Sequence, residues 1–211
     1  MYRVTQKKNL SNGKADDRPP RKSAGERVFE TARDLFYRRG IRAVGVDEIV
    51  SQAGVTKPSL YRAFASKDEL VTACLEKSAQ EGRTGLDALA ACTPDDPVKQ
   101  LHAIVRLFAD KLNQPGFRGC PMSNTAVEFP EPDHPGRVVL ETSKGDVRAR
   151  IGGLTRQLPV HDPDALADGL ILIIEGAMAS HHIFGAQGPS AAMVATADAL
   201  IDGQIKAAAP A

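Results

Sequence analysis

The chain has 211 residues, of which 42% are hydrophobic and 25% are charged. It is therefore long enough to bury a core, and its composition is neither collagen-like nor disordered. The net charge of +1 is unevenly divided, because residues 1–70 carry 15 basic and 9 acidic side chains whereas residues 71–211 carry 12 and 17. The basic first third predicts a surface for a polyanion. Three cysteines at unrelated spacings exclude a disulfide framework and favour a reducing compartment.

The N-terminal residues 1–23 are rich in Lys, Arg, Asn, Asp and Pro, and this composition predicts a disordered basic arm. A solvated tail or a cloning remnant fits the same residues. The N-terminus lacks the apolar stretch of a secretory signal. The most apolar run, residues 166–179, is interrupted by Asp168 and Glu175 and is too short for a clean membrane span. We therefore expect a cytoplasmic protein without a membrane partner.

The rest of the chain predicts helices and no strand. Apolar residues recur at helical spacing from Val28 to Phe36, and Gly40 is suited to end that helix. Proline and glycine runs separate the later helices. The further helices are predicted at about residues 46–53, 57–64, 67–93, 98–113, 123–129, 136–158, 164–184 and 190–208.

Several helix starts carry capping residues. Thr56 is a predicted N-cap, and Ser66 with Glu69 three residues later predicts a capping box. Asp164 and Ser190 are predicted to cap the last two helices.

Two short helices meet at Ala53-Gly54-Val55, which predicts a helix-turn-helix motif. Such a motif places its second helix in the major groove of DNA. The outer side of that helix offers hydroxyl and cationic groups, which bind phosphate oxygens and base edges. These candidate DNA-binding residues are Thr56, Lys57, Ser59, Tyr61 and Arg62, and Lys67 at the next helix start is predicted to reach a phosphate.

This region resembles the tetracycline-repressor (TetR) family of transcription regulators. The resemblance implies an all-α protein with an N-terminal three-helix DNA-binding domain, residues 24–70, and a C-terminal domain, residues 71–211, that binds an effector and dimerises. It implies a homodimer whose partners are double-stranded operator DNA and a small-molecule effector, most often as a repressor. It is carried by Ala32, Leu35, Phe36, Gly40, Val46, Ile49, Ala53, Gly54, Val55, Thr56, Lys57, Pro58, Ser59, Leu60, Tyr61, Phe64, Lys67, Asp68, Glu69 and Leu70.

The chain departs from the family pattern at Gly45. The family usually has Thr or Ser there, which caps the second helix and touches a phosphate. Glycine can cap a helix but has no hydroxyl, so the resemblance does not extend to a phosphate contact at this position.

In the resembling family the last two helices form a four-helix interface between subunits. Here these would be residues 164–185 and 190–208. The first of them is apolar almost all round, which requires burial on several sides. A partner subunit satisfies that requirement, and so does a place at the centre of a monomer.

The segment from Phe117 to Pro130 resembles a linker that lies beside the effector cavity in one subgroup of these regulators. Polar residues near apolar helix faces are further candidates for such a cavity. For His102 and Arg106 exposure to solvent is the alternative, and for Glu175 it is a charge satisfied at an interface. Cys120 is either a reactive loop thiol or a half-buried turn residue. The candidate effector residues are His102, Arg106, Phe108, Cys120, Met122, Phe129, Glu175 and His182.

The sequence offers little for catalysis. It contains no phosphate-binding glycine loop followed by Lys and Ser or Thr, no dinucleotide glycine pattern and no Gly-x-Ser-x-Gly elbow. Residues 161–164 and 133–134 hold His and Asp beside proline, where turn formation explains them better than a metal. We predict no enzyme, cofactor or metal. A helical dimeric interaction protein without DNA binding, or a small helical enzyme, is the alternative.

Overall fold

A computed structural model describes residues 22–208 of the chain. Within those residues every regular element is a helix, so the predicted all-helical fold class is confirmed. The predicted basic arm, residues 1–23, lies outside the described residues except for its last two. The elements are α1 (Ala24–Arg39), α2 (Val46–Ala53), α3 (Lys57–Ala63), α4 (Lys67–Cys92), α5 (Pro97–Leu112), α6 (Pro121–Glu128), α7 (Pro135–Thr155), α8 (Pro163–Phe184), a 3₁₀ turn (Pro189–Ala192) and α9 (Met193–Ala207).

The first helix is closed at both ends by local signals. Ser23 Oγ accepts the N–H of Glu26 at 3.2 Å, and the Glu26 carboxylate accepts the N–H of Ser23 at 2.7 Å. This capping box satisfies two amide donors that a helix start leaves without partners. At the other end Gly40 takes a φ of 89°, a conformation that side chains with a Cβ rarely adopt, and the helix stops there.

Helices α1 to α3, residues 24–63, form an N-terminal unit that we call the head. Its apolar residues meet in one core, and several of them are fully buried. Burying each large aliphatic side chain stabilises the fold by about 1.5–3 kcal/mol. The fully buried residues are Val28, Ala32, Val44, Ile49 and Leu60.

The long helix α4 joins the head to the rest of the molecule. Ser66 caps it, with Oγ accepting the Glu69 N–H at 3.0 Å. The Glu69 carboxylate accepts the N–H of Ala65 at 2.6 Å, so the return bond of the predicted box falls one residue early. The first half of α4 packs in the core of the head, whereas Leu86 belongs to a second core. The predicted domain boundary at residue 70 therefore lies within a continuous helix, and it stays a prediction.

Helices α4 to α9 form what we call the body, residues 67–207, and one side of α8 packs in its core. α8 packs against α5, α7 and α9. Apolar residues meet there because α8 is apolar almost all round, as its sequence predicts. The most deeply buried members of this second core are Leu101, Ile104, Ile151, Leu166, Leu170, Ile174 and Ile201.

The structure corrects the predicted caps of the last two helices. α8 begins one residue before Asp164, and it is Asp162 whose carboxylate accepts the N–H of Ala165 at 2.9 Å. Ser190 does not cap α9, because it is buried in the preceding 3₁₀ turn with its hydroxyl 3.1 Å from a ring nitrogen of His181.

α8 is also long and apolar enough, by length and composition alone, to cross a membrane. Its apolar run, residues 166–179, is by itself too short for a clean membrane span, but the helix extends beyond that run at both ends. The core helix of a folded bundle passes the same test, and one side of α8, which includes Leu166, Leu170 and Ile174, packs in the second core.

Candidate nucleic-acid interface and ligand cavity

The turn between α2 and α3 depends on one glycine. Gly54 has a φ of 62° and a ψ of 42°, which is the left-handed conformation, and its N–H bonds back to the carbonyls of Val50 and Ser51. A residue with a Cβ is strained in that conformation. The chain then reverses sharply enough for α3 to begin three residues later, at Lys57. The predicted helix-turn-helix therefore has the backbone that such a motif requires.

The two sides of α3 differ in burial. Leu60 is fully buried in the head core, whereas Lys57, Tyr61 and Arg62 are exposed. Tyr61 is 49% exposed, which is unusual for a large aromatic side chain on a small helix. An outer face with two cations, hydroxyls and an aromatic ring offers the groups that bind phosphates and base edges.

Thr56 occupies the N-cap position of α3, as predicted, but its side chain makes no capping hydrogen bond. Its hydroxyl lies 3.0 Å from the hydroxyl of Ser59 instead. Each of the two hydroxyls still has capacity for another hydrogen bond. The pair therefore presents two adjacent polar groups at the start of α3.

Lys57 is held by a carboxylate of the neighbouring helix. Its Nζ lies 2.7 Å from Oδ1 of Asp47, and both side chains are largely exposed. The hydrogen bond to Asp47 raises the pKa of the Lys57 ammonium above its ordinary value. A phosphate that binds Lys57 would have to compete with this carboxylate.

Lys67 is oriented differently from the other candidates. Its Nζ donates to the carbonyl oxygen of Ile41 at 2.6 Å and lies 5.8 Å from the centre of the Phe36 ring. Partial burial lowers the pKa of this ammonium. The side chain therefore ties the start of α4 to the turn after α1, and a phosphate contact by Lys67 stays a prediction.

A cavity of about 1310 Å³ lies between α1, α4, α5, α6, α7 and α8. This volume exceeds the range of about 300–1,000 Å³ that holds drug-sized ligands. Much of its wall is apolar, and the apolar lining includes Leu86, Leu107, Phe108, Val147, Ile171 and Ile174.

Glu175 and Lys144, which line the cavity, belong to a polar cluster centred on Glu175. The Glu175 carboxylate accepts a hydrogen bond from Ser123 Oγ at 2.9 Å and another from the ammonium of Lys144. All three residues are half-buried. These residues belong to α6, α7 and α8, so the cluster joins three helices that border the cavity.

The cavity includes half of the predicted effector residues. Phe108, Cys120, Met122 and Glu175 line it. Cys120 is half-buried. Cys74 is a second thiol that lines the cavity, and burial raises its pKa to about 12, so it stays protonated.

The other four predicted effector residues lie elsewhere. His102 and Arg106 are turned by the helical period of α5 towards α9, where both contact Asp198. The Phe129 ring stacks on His134 with centroids 4.0 Å apart, and His182 is exposed near the end of α8. The structure therefore does not bring these four together with the cavity residues.

Sequence reasoning missed Ser123 and Lys144, the two partners of Glu175. They are 52 and 31 residues away from it along the chain. No local spacing connects them. It also missed Tyr37 of α1, which lines the cavity from the side of the head.

Across residues 22–208 no group of three or more His, Cys, Asp or Glu side chains is arranged to hold a metal ion.

A family model described as "Bacterial regulatory proteins, tetR family" matches residues 28–74. The curated relatives include FasR of Mycolicibacterium smegmatis, named a transcriptional activator, which is 32% identical over 115 residues (54% of this chain, 52% of FasR). BdcR of Escherichia coli, named a transcriptional repressor, is 31% identical over 118 residues (56% of this chain, 55% of BdcR). The chain thus spans about half the length of these two relatives.

Solved structures match over almost the whole fold. SCO4454, a TetR-family transcriptional regulator from Streptomyces coelicolor, is 29% identical and has a TM-score of 0.78, with 89% of this chain and 96% of that chain covered. SAV143 from Streptomyces avermitilis, whose name assigns it to the same regulators, is 30% identical with a TM-score of 0.70, and the match covers 87% of this chain and 98% of that one.

Proposed function

Because this chain belongs to the tetR family of bacterial regulatory proteins, we propose that it is a DNA-binding transcriptional regulator, a repressor that a small-molecule effector releases from operator DNA. The observation that carries this proposal is the outer face of α3, where Lys57, Tyr61 and Arg62 are exposed beside the hydroxyls of Thr56 and Ser59. A helix-turn-helix that presents such a face is suited to the major groove. A protein of this kind acts in the cytoplasm, where bacterial DNA lies.

The cavity supports the effector part of the proposal. It is large, mostly apolar, and carries a small number of polar groups around Glu175. This combination binds small organic molecules, since apolar walls supply affinity and polar groups fix orientation. The effector shifts the protein towards a state with altered spacing of its DNA-binding helices, by binding that state more tightly.

Exposed apolar residues of α8 support a homodimer. Leu172 is 73% exposed and Ile183 is 72% exposed. They are eleven residues apart, so they lie on nearly the same side of the helix. In a homodimer a partner subunit covers this side, and two-fold symmetry places two α3 helices about 34 Å apart for a palindromic operator.

The test selects an operator directly. A randomised pool of duplexes is enriched with the purified protein at physiological salt, and the affinity for the enriched duplex is compared with that for a scrambled duplex. We expect Tyr61→Ala and Lys57→Ala to weaken specific binding by about fivefold or more, since one base or phosphate contact contributes about 1–3 kcal/mol. Lys57→Ala should also reduce the salt slope by about one.

Lys99→Ala is the matched control, because it removes an exposed cation of α5, far along the chain from α3. It should leave operator affinity unchanged. Equal binding to enriched and scrambled duplexes would contradict specific recognition. A folded dimer that enriches no duplex would favour a helical interaction protein.

A further inference from the structure

The cationic side chains that line the cavity are all held by carboxylates, with one exception among residues 22–208. The exception is Lys111 in the last turn of α5, whose ammonium forms neither an ion pair nor a hydrogen bond with another described residue. The ion pairs of the other lining cations are Arg33–Glu81, Arg83–Asp146, Lys144–Glu175, Arg148–Asp168 and Arg150–Asp87. Lys111 therefore differs from every other lining cation of the described chain.

The carboxylates of the cavity lining already have partners. Glu30 and Asp34 form ion pairs with neighbouring cations, and Glu128 accepts the N–H of Arg42 at 2.8 Å. The remaining lining carboxylates belong to the ion pairs already named. The positive charge of Lys111 is therefore left without a group of opposite sign from residues 22–208. A ligand that carries one negative charge would supply that group.

Lys111 adjoins the apolar wall of the cavity. Leu107 and Phe108 precede it by four and three residues, so the three side chains are neighbours on one face of α5, and all of them line the cavity. Lys111 is half-buried, and its Nζ lies 5.3 Å from the centre of the Phe108 ring, within the range of a cation–π interaction. A ligand that packs on this wall can bring one anionic group to the ammonium without giving up its apolar contacts.

We propose that the effector is an apolar monocarboxylate, a molecule with one carboxylate and a large hydrocarbon body, and that Lys111 binds the carboxylate. This inference rests on the proposed function, since it names the chemical class of the effector. A cationic ligand would have to take a carboxylate from its present partner, and a second anionic group would find no further unpaired cation in the described lining. The volume of about 1310 Å³ leaves ample room for the hydrocarbon body.

Matched pairs of ligands test this class without DNA. Hexanoate, octanoate, decanoate and naphthoate are each titrated into the full-length protein by isothermal calorimetry, alongside the primary amide of the same skeleton. The amide keeps the apolar body and an acceptor oxygen but lacks the charge. At least one acid should bind the wild-type protein about tenfold more tightly than its amide, because a hydrogen bond to a charged group is stronger than one between neutral groups.

Substitutions of Lys111 assign the preference to its charge. Lys111→Met keeps an apolar stem without the ammonium and should bind acid and amide about equally, whereas Lys111→Arg keeps a cation and should retain the preference for the acid. Lys99→Met is the matched control, because Lys99 is an exposed cation of the same helix that pairs with Asp96 and does not line the cavity. It should show the wild-type preference.

The outcomes separate this proposal from the proposed function. No acid preferred over its amide, or a preference that persists in Lys111→Met, would overturn the ligand class, whether or not the protein binds an operator. In the second case Lys111 would only stabilise the carbonyl end of α5, which attracts a cation in its last turn. Acids that bind through Lys111 while no duplex is enriched would support the ligand class and contradict the regulator.

Discussion

The polar contacts within the head join residues that are close in sequence, whereas those within the body join residues that are far apart in sequence. In the head, Ser23 caps α1 by bonding Glu26 three residues later, and Asp47 pairs with Lys57 of the next helix. In the body, the polar centre of the cavity joins Glu175 to partners 31 and 52 residues away. The capping and ion-pair contacts of the head are therefore local, whereas the polar cluster at Glu175 exists only when α6, α7 and α8 are assembled. We expect a change in the three-helix core of the head to leave α5, α8 and α9 folded, and a change at Glu175 to reach several helices.

The variant with the largest expected effect on this difference is Leu60→Ala. Leu60 is fully buried in the head core, and replacing a buried leucine by alanine costs about 2–5 kcal/mol. We expect α1 to α3 to lose hydrogen-exchange protection and operator binding to be abolished, while α5, α8 and α9 stay protected. Urea unfolding combined with amide exchange measures both effects.

Val127→Ala is the control for this variant, because Val127 is 84% exposed on α6. It should change the free energy of unfolding by less than about 0.5 kcal/mol. Equal loss of protection in α8 and in the head of Leu60→Ala would show that the two units are not separable.

A smaller effect, of opposite sign, is expected for Asp47→Asn. The carboxylate of Asp47 holds Lys57 and adds a negative charge beside the proposed phosphate-binding face. Its removal frees the ammonium and lowers like-charge repulsion, so operator affinity should rise by roughly threefold to tenfold at low salt. The gain should shrink as salt screens it, which a titration series at increasing ionic strength measures.

The matched variant is Asp110→Asn, which removes an exposed carboxylate from α5 in the body. It should alter operator affinity far less than Asp47→Asn does. A loss of affinity in Asp47→Asn would mean that the ion pair orients Lys57 for binding rather than competing with phosphate.

The separation of contacting residues along the chain also decides which contacts can be predicted from the sequence alone. The helix-turn-helix follows from Gly54 between two apolar periods, and the exposed and buried sides of α3 follow from the position of Leu60. Both signals lie within a few residues of one another. The side chain of Lys67 is different, since its bond to Ile41 spans 26 residues and no local pattern predicts it.

In the body, the apolar content of α8 predicts a buried helix, but it does not say what Glu175 meets. Helical spacing placed His102 and Arg106 on one face of α5 without showing whether that face looks at the cavity or at α9. The contact with Asp198, 96 residues from His102, decides it. Long-range pairing of this kind leaves no periodic signal in one sequence.

Acid should weaken both units through their helix caps. The N–H of Ser23, bonded to the Glu26 carboxylate, lowers the pKa of that carboxyl, and the N–H of Lys99 lowers the pKa of Asp96 at the start of α5. A carboxyl whose pKa is lower in the folded state stabilises it above the unfolded pKa, and that contribution is lost as pH falls through the folded pKa.

Glu26→Gln and Asp96→Asn keep a hydrogen-bonding cap without the charge. Each variant should be less stable than the wild type at about pH 6, and the difference should shrink as pH falls below the unfolded pKa of about 4 and through the lower folded pKa. Unfolding free energies across this range measure it, with amide exchange assigning the loss to the head or to α5. A difference that does not vary with pH would show that the charge does not contribute.

The smallest expected effect comes from Gly45, the N-cap of α2. Its φ of −89° and ψ of 157° suit any residue, and a Cβ there would meet no atom within 4 Å. Gly45→Ser therefore supplies the missing capping oxygen without strain and should stabilise the head by a few tenths of a kcal/mol. The hydroxyl stands where the family places a phosphate contact, so operator affinity should also rise, by about twofold to fivefold. Gly45→Ala adds the same Cβ without the oxygen. It should destabilise α2 slightly and leave affinity unimproved, and an equal gain from both variants would assign the effect to backbone restriction rather than to the hydroxyl.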